Sequence, residues 1–167
     1  MAIKTILVVD VSGSTRLYHE AGNEVAHQIV EACVLDAAAR VAVLGRIVKF
    51  LGDGFFALLP DLDSALRSCK LANEVLSSRE DGLGLRMGLY SGDVIETESD
   101  AFGDAVNMAF RISDFATSAQ ITAVAETVHL LPVEMWEATQ LLGAVALRGK
   151  PDAYELYDLS PVLRFLR

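Results

Sequence analysis

The sequence predicts an α+β sandwich in which helices pack against a largely antiparallel β-sheet. Short apolar, β-branched runs alternate with longer segments of helical periodicity, and a Gly-Asp-Gly turn joins two of the runs directly. Such a turn favours antiparallel pairing, and the intervening helices have to cover the faces of the sheet. This order of elements is typical of a ferredoxin-like fold. Because no Pro/Gly/Ser-rich linker interrupts the chain, residues 1–167 are expected to form a single domain.

The individual elements follow from periodicity and from turn residues. The predicted strands are residues 4–10, 46–51, 55–59, 85–90, 94–97, 121–124 and 154–159. The predicted helices are residues 15–44 with a break at 21–23, 61–78, 104–115 and 125–131. Tight turns are expected at residues 11–15, 52–54 and 91–93. Asp61 or Asp63 is expected to cap the helix that ends near residue 78, and Asp104 the helix after it.

The composition indicates the cellular compartment in which the protein is expected and the kinds of partner that it is not expected to bind. Hydrophobic residues make up 52% of the chain, which argues against disorder, and the formal net charge of −9 disfavours nonspecific nucleic-acid binding. The N-terminal apolar run ends at Asp10, too early for a signal peptide or a membrane span. The protein is therefore expected in the cytoplasm, with neither a membrane nor a nucleic acid as partner. Cys33 and Cys69 are expected to be reduced thiols in the core.

Two aspartates follow apolar strands and stand beside glycine-containing turns. Asp10 ends the run that begins at Ile6, and Asp53 is the centre of the Gly-Asp-Gly turn. Carboxylates in this position suit divalent metals and the phosphates that such metals bind. Asn107 and Arg111 lie four residues apart on one face of a predicted helix, so both can bind the same ligand. These features together indicate chemistry on a nucleoside triphosphate.

Four stretches carry a resemblance to a known family through their order and spacing. They are Val8-Val-Asp-Val-Ser-Gly-Ser-Thr15, Gly45-Arg-Ile-Val-Lys-Phe-Leu-Gly-Asp53, Leu85-Arg-Met-Gly-Leu-Tyr-Ser-Gly-Asp-Val94 and Phe102-Gly-Asp-Ala-Val-Asn-Met-Ala-Phe-Arg111. Together they resemble the catalytic domain of the class III nucleotidyl cyclases, the adenylate and guanylate cyclases, and most of all the bacterial adenylate cyclases. The resemblance runs from about Ile6 to Leu159, nearly the whole chain.

The resemblance implies a metal site and a phosphate site near the first strand. Two divalent ions, Mg²⁺ or Mn²⁺, would be held by Asp10, Val11 and Asp53. The helix start that follows suits phosphate through its backbone N–H groups, although Ser12 or Ser14 could equally serve as a simple helix cap. The residues assigned to phosphate there are Ser12, Gly13, Ser14 and Thr15.

The resemblance also implies the substrate and the assembly. Lys49 and Asp100 match the purine-selecting pair, in which lysine donates to adenine N1 and the carboxylate accepts from the 6-amino group. Guanine reverses both groups, so this pair implies ATP as substrate and cyclic AMP as product. Asn107 and Arg111 match the pair that stabilises the transition state, and Lys150 matches a lysine that holds the terminal phosphates. The family builds each site from two chains, so a homodimer is expected.

Other interpretations stay open at this level. The chain could be a catalytically weak or inactive nucleotide-binding or interaction module, or a cyclase that acts on GTP or a pyrimidine triphosphate. A response-regulator receiver also begins with a run like Ile6-Leu-Val-Val-Asp10. That fold requires its phosphoacceptor at the end of a parallel strand, whereas Asp53 sits in a turn between two strands and Lys150 follows it too late in the chain.

Overall fold

A computed structural model describes residues 2–167, which form one eight-stranded sheet, six α-helices and a final 3₁₀ helix. The strands are β1 (Ala2–Ser12), β2 (Arg46–Leu51), β3 (Gly54–Leu59), β4 (Gly84–Glu96), β5 (Ala101–Phe102), β6 (Ile121–Val124), β7 (Gln140–Ala146) and β8 (Ala153–Asp158). The helices are α1 (Ser14–Ala21), α2 (Asn23–Val41), α3 (Leu62–Leu76), α4 (Asp104–Ser113), α5 (Ala125–Val128) and α6 (Val133–Trp136), and the 3₁₀ helix covers Ser160–Phe165.

The sheet confirms the predicted α+β architecture. The strand order is β2-β3-β1-β4-β6-β8-β7, with β5 paired to β4 beside this path. β4 and β6 pair in parallel, and the other strand pairs of residues 2–167 are antiparallel. β1 is therefore the centre of an antiparallel block, and it carries Asp10 near its C-terminal end.

The two faces of this sheet pack against different helices because side chains alternate along each strand. On β1, Leu7 and Val9 belong to the large apolar cluster formed with α2 and α3. Ile6 and Val8 belong to a second cluster, formed with α4. Asp10 continues the alternation of Ile6 and Val8, so its carboxylate lies on the α4 face of the sheet, just beyond the apolar cluster.

Two of the predicted turns are wrong because strand pairing overrides them. The turn expected at 11–15 is absent, since Val11 and Ser12 stay in β1 and pair with β4. The turn expected at 91–93 is also absent, because β4 runs unbroken along β1 as a single strand. Ser91 faces Thr5 across this ladder, and their hydroxyl oxygens lie 2.7 Å apart. A long cross-strand ladder thus supplies partners for polar residues that would otherwise favour a turn.

Other local predictions are confirmed. Gly22, with a φ of 82°, separates α1 from α2 at the predicted break. A two-residue turn, Gly52-Asp53, joins β2 to β3. Asp61 caps α3, accepting a 2.8 Å hydrogen bond from the Ser64 backbone N–H.

The C-terminal part holds elements whose positions the sequence did not predict. β7 is mostly exposed and its register shifts between Leu141 and Gly143, so it lacks a clear alternation of apolar residues. α6 is a four-residue helix, too short for a periodic signal.

The two cysteines, Cys33 and Cys69, are buried and free, as expected. Within residues 2–167, no helix combines the length and the apolar character that crossing a membrane requires.

Candidate active site

The two predicted metal-binding aspartates are brought together by the pairing of β1 with β3. Asp10 lies opposite Gly54 in this ladder, and the Val11 backbone N–H donates to the Asp53 carbonyl oxygen at 2.9 Å. The Ser14 hydroxyl lies 3.5 Å from Asp53 Oδ2. Residues that are far apart in sequence therefore form one acidic corner at the tip of the β2–β3 hairpin.

Gly54 permits the close approach of the hairpin to β1. A Cβ atom at this position would stand 2.2 Å from the Val9 carbonyl oxygen and 2.4 Å from Asp10 Oδ1. Those contacts are far shorter than any side chain tolerates, so residue 54 has to be glycine for the acidic corner to keep this shape.

Electrostatics make this corner suitable for a cation. Burial raises the pKa of Asp10, and the neighbouring carboxylate of Asp53 raises it further, with a smaller contribution from Asp114. Arg86, directly opposite Asp10 on β4, acts in the other direction on that pKa but does not outweigh burial. The ionised Asp10 carboxylate is therefore destabilised in this corner, and a bound divalent cation would stabilise it.

The donor set fits a hard divalent ion such as Mg²⁺ or Mn²⁺. Asp10 and Asp53 offer carboxylate oxygens, whereas the side chain of Val11 is apolar, so only its carbonyl oxygen could serve as a ligand. No group of three or more His, Cys, Asp or Glu side chains within residues 2–167 is arranged to hold a metal. Two carboxylates per chain therefore leave coordination positions for backbone, water and phosphate oxygens.

The predicted phosphate loop differs from expectation at its first residue. Ser12 lies in β1, and its hydroxyl donates to Ser118 Oγ at 2.9 Å, so it does not cap α1. Gly13, with a φ of 84°, precedes the helix, and no side chain caps it. α1 begins at Ser14, one residue before the predicted start, and Thr15 is exposed in its first turn. The hypothesis of a phosphate-binding helix start is thereby limited to the segment 13–15.

The predicted purine-selecting pair is assembled by a contact between β2 and the loop before β5. The Lys49 ammonium donates directly to Asp100 Oδ2. That bond is the main cause of a lowered pKa for Asp100, followed by the Ala101 backbone N–H, which donates to Asp100 Oδ1 at 2.9 Å. The Asp100 side chain is 21% exposed and that of Lys49 is 44% exposed, so both can be reached from solvent.

α4 carries the predicted transition-state pair beside an open cavity. Asn107 is exposed and Arg111 half-buried, because the opposite side of the helix packs into the core. A cavity of about 420 Å³ is lined by Asn107, Phe110, Arg111, Asp114 and Arg148. Arg148 was not predicted as a site residue. Its position two residues before Lys150, in a basic loop, is the sequence signal that could have identified it.

Lys150 is already paired in this structure. Its ammonium donates to Asp104 Oδ2 at 2.6 Å. The prediction that Asp104 caps α4 is wrong, because Gly103, with a φ of 132°, precedes the helix and Asp104 is its first residue. Lys150 is thereby held at the N-terminal end of α4, the helix that carries Asn107 and Arg111.

Apart from Ser14, the acidic corner is not bonded to the residues assigned to the substrate. Across residues 2–167, no hydrogen bond or ion pair joins Asp10 or Asp53 to the other substrate-side residues, namely Lys49, Asp100, Asn107, Arg111 and Lys150. Asp53 instead lines a different cavity, of about 630 Å³, between α2 and the β2–β3 hairpin. Below, Asp10 and Asp53 are called the acidic half-site, and Lys49, Asp100, Asn107, Arg111 and Lys150 the basic half-site.

Known proteins resemble this chain in sequence and in fold. An adenylate cyclase of Streptomyces coelicolor is 34% identical over 108 residues, which are 64% of this chain and 28% of that protein. The adenylyl cyclase CyaB of P. aeruginosa has a TM-score of 0.73 at 18% identity, over 93% of this chain and 92% of that one. The guanylate cyclase domain of RhGC from Catenaria anguillulae, in complex with GTP, has a TM-score of 0.74 at 18% identity, over 94% and 95% of the two chains. At such identities the solved structures establish the fold alone.

The family itself is established by a match over most of the chain. The model of the adenylate and guanylate cyclase catalytic domain matches residues 3–160. The chain spans much less than two thirds of the Streptomyces relative, so the match concerns a catalytic domain and not the architecture of a whole relative. On this ground the protein belongs to the class III adenylate and guanylate cyclase family.

Proposed function

We propose that residues 1–167 form one catalytic domain that converts ATP to 3′,5′-cyclic AMP and pyrophosphate at a homodimer interface. The observation that carries the choice of ATP is the contact between Lys49 and Asp100. An ammonium donor beside a carboxylate acceptor complements adenine, whose N1 accepts and whose 6-amino group donates. Guanine would place its O6 against the carboxylate and leave buried polar groups without partners.

The acidic corner is the proposed metal site. Asp10 and Asp53 would hold two Mg²⁺ or Mn²⁺ ions, with the Val11 carbonyl oxygen as a further ligand. When bound, these ions would supply Lewis-acid activation of the ribose 3′-hydroxyl and neutralise the leaving pyrophosphate. The backbone N–H groups at the start of α1 stand beside this corner and favour a phosphate there.

The basic half-site performs positioning and charge stabilisation. During the reaction the 3′-oxygen would form a bond to the α-phosphorus, the bond from that phosphorus to pyrophosphate would break, and the proton of the 3′-hydroxyl would pass to water. Asn107 would orient the ribose, and Arg111 would stabilise the charge that grows on the α-phosphate. Lys150 would leave Asp104 to hold the terminal phosphates. Arg148, on the same cavity as Arg111, adds positive charge there.

A homodimer is supported by apolar side chains that are exposed beside both half-sites. They include Phe50, Leu51, Ile95 and Phe102. The first two end β2, next to the Gly52-Asp53 turn, and the other two form a cross-strand pair of β4 and β5 next to Asp100. Exposed apolar groups around a polar site are typical of a surface that another protein covers. A two-fold pair would bring the acidic half-site of one chain to the basic half-site of the other.

Product analysis tests the proposed function directly. The purified protein is incubated separately with ATP, GTP, CTP and UTP, in Mg²⁺ or in Mn²⁺, and the products are identified by mass. Cyclic AMP and pyrophosphate are expected from ATP, with little cyclic product from the other three nucleotides. Nucleotide binding without any cyclic product would instead establish a non-catalytic module, and a cyclic pyrimidine or guanosine product would overturn the choice of base.

The base preference is expected to change when the selecting pair is replaced. The double variant Lys49→Glu, Asp100→Cys removes the donor for N1 and the acceptor for the 6-amino group. We expect kcat/KM for ATP to fall by about 10²-fold, with a smaller loss or a gain for GTP, because each mispaired polar group costs about 1–3 kcal/mol. Steady-state kinetics with both nucleotides measure this. An unchanged preference for ATP would mean that other residues read the base.

A further inference from the structure

Arg46 connects β2 to the turn that carries Asp100. Its Nη1 donates to the carbonyl oxygens of Thr97 and Glu98, at 3.1 and 3.3 Å. Nη2 lies 3.4 Å from Glu96 Oε2, and both Nε and Nη2 are inaccessible to solvent. The guanidinium is thus inserted against the backbone of residues 96–98, although part of the side chain remains exposed.

Arg46 and Lys49 reach the same turn because β2 contains a bulge. Side chains three residues apart on a regular strand point to opposite faces. The register with β3 shifts between Ile47 and Lys49, so that Val48 is an additional residue in β2. A bulge of this kind restores a common face to the residues on its two sides. Arg46 lies opposite Leu58 and Lys49 opposite Phe56, two residues of the α4-side cluster.

The turn of residues 97–100 is closed by hydrogen bonds between its own residues. The Thr97 N–H donates to the Asp100 carbonyl oxygen at 2.9 Å, and the Asp100 N–H donates to Thr97 Oγ1 at 3.0 Å. Fixing two carbonyl oxygens of this turn to β2 therefore also fixes the direction of the Asp100 carboxylate. In the described part of the chain, the hydrogen bonds from β2 side chains to this turn come from Arg46 and Lys49.

We propose that Arg46 is a positioning residue for base selection, which holds the Thr97–Asp100 turn in place when substrate enters. The proposal rests on the proposed function. Lys49 and Asp100 bond to each other in this structure, and an adenine read by both must replace that bond. The turn then keeps its link to β2 through Arg46. Without that link, Asp100 is free to move away from the 6-amino group, and discrimination between adenine and guanine falls.

The test compares Arg46→Met with the wild type in two measurements. Arg46→Met is expected to lower the ratio of kcat/KM for ATP to kcat/KM for GTP by about tenfold, because small misplacements of a selecting group have large effects on discrimination. Hydrogen exchange followed by mass spectrometry should show faster exchange at the amides of residues 97–101, without a change in β1 or α4. Arg46→Lys, which keeps the positive charge and one donor nitrogen, should lie between the two proteins in both measurements.

Two control variants isolate the carbonyl contacts. Glu96→Gln removes the carboxylate beside Nη2 and leaves the carbonyl bonds, so it should leave the ratio near the wild-type value. Arg40→Met makes the same substitution on α2, where the arginine approaches Glu74 and not the turn, and should leave both measurements unchanged. Unchanged exchange at residues 97–101 in Arg46→Met, or faster exchange with an unchanged nucleotide ratio, would overturn the proposal. If the wild type makes no cyclic product, the proposed function fails, while the exchange measurement still decides whether Arg46 holds the turn.

Discussion

Asp10→Asn and Asp53→Asn are each expected to abolish metal-dependent cyclase turnover. Either change replaces an anionic oxygen ligand by a neutral amide at the acidic corner, where burial and the second carboxylate concentrate negative charge. The ions are expected to supply several kcal/mol of charge stabilisation in the transition state. With tenfold in rate for every 1.36 kcal/mol, a loss of about 10³-fold or more in kcat follows. Cyclic AMP formation at saturating Mn²⁺ and Mg²⁺ measures it.

The same Asp10→Asn variant should be more stable than the wild type in the absence of metal. Burial and Asp53 raise the pKa of Asp10, so ionised Asp10 opposes folding at neutral pH. As the pH falls through that raised pKa, the folded-state carboxyl takes up a proton and the difference between the two proteins shrinks. The difference disappears once the carboxyl of the unfolded chain is protonated as well. Thermal unfolding at several pH values should show a higher midpoint for Asn at neutral pH, by a difference that shrinks as the pH falls.

A matched surface change serves as the control for these variants. Asp63 lies on α3, where it pairs with Arg67 and its side chain is 60% exposed. Asp63→Asn should keep turnover near the wild-type value. Full turnover in Asp10→Asn or in Asp53→Asn would remove that residue from the metal site.

Two inactive variants should restore activity when their subunits exchange. Asp10→Ala removes a residue of the acidic half-site and Arg111→Ala one of the basic half-site. In a mixed dimer built from shared sites, one site collects both lesions and the other collects neither. Activity should therefore return to about half of the wild-type value per mixed dimer, counted by sites. Cyclic AMP formation after subunit exchange, with the mixed dimers isolated through two affinity tags, measures the recovery.

Pairs of variants within one half-site provide the negative control. Asp10→Ala mixed with Asp53→Ala places one lesion in each site, so no intact site exists and no recovery is expected. The same holds for Asn107→Ala mixed with Arg111→Ala. If Asp10→Ala and Arg111→Ala exchange subunits and still show no recovery, the two half-sites do not act across an interface.

Features with a local cause could be predicted from the sequence. The hairpin around Asp53 follows from Gly-Asp-Gly between two apolar strands, and the break at Gly22 from its position between helical segments. The capping of α3 by Asp61 is a similar case. Asp10 and Asp53 were recognised as a possible pair because both end apolar runs, and the structure brings them together through the pairing of β1 with β3.

Features that depend on strand register could not be predicted in the same way. Ser12 looked like a turn residue, but the long ladder with β4 keeps it in β1. The sequence alone does not associate Arg86 with Asp10, because only the register of β1 and β4 places the two residues opposite each other. Arg46 and Lys49 reach the same loop before β5 because β2 has a bulge at Val48, and the pattern of apolar residues does not predict a bulge there. The role of Lys150 follows from the resemblance to the family and could not be inferred from residue type and spacing alone.

Both of the proposed substrate-binding lysines already have carboxylate partners, Lys49 with Asp100 and Lys150 with Asp104. An incoming nucleotide must therefore replace two existing contacts, one at its base and one at its phosphates. Free adenosine or pyrophosphate can replace only one of them. The same holds for the products, because cyclization separates base from terminal phosphates into two molecules. The intact triphosphate would engage both lysines with one molecule, whereas each product would engage one, and this joint engagement would favour binding of the triphosphate over binding of either product.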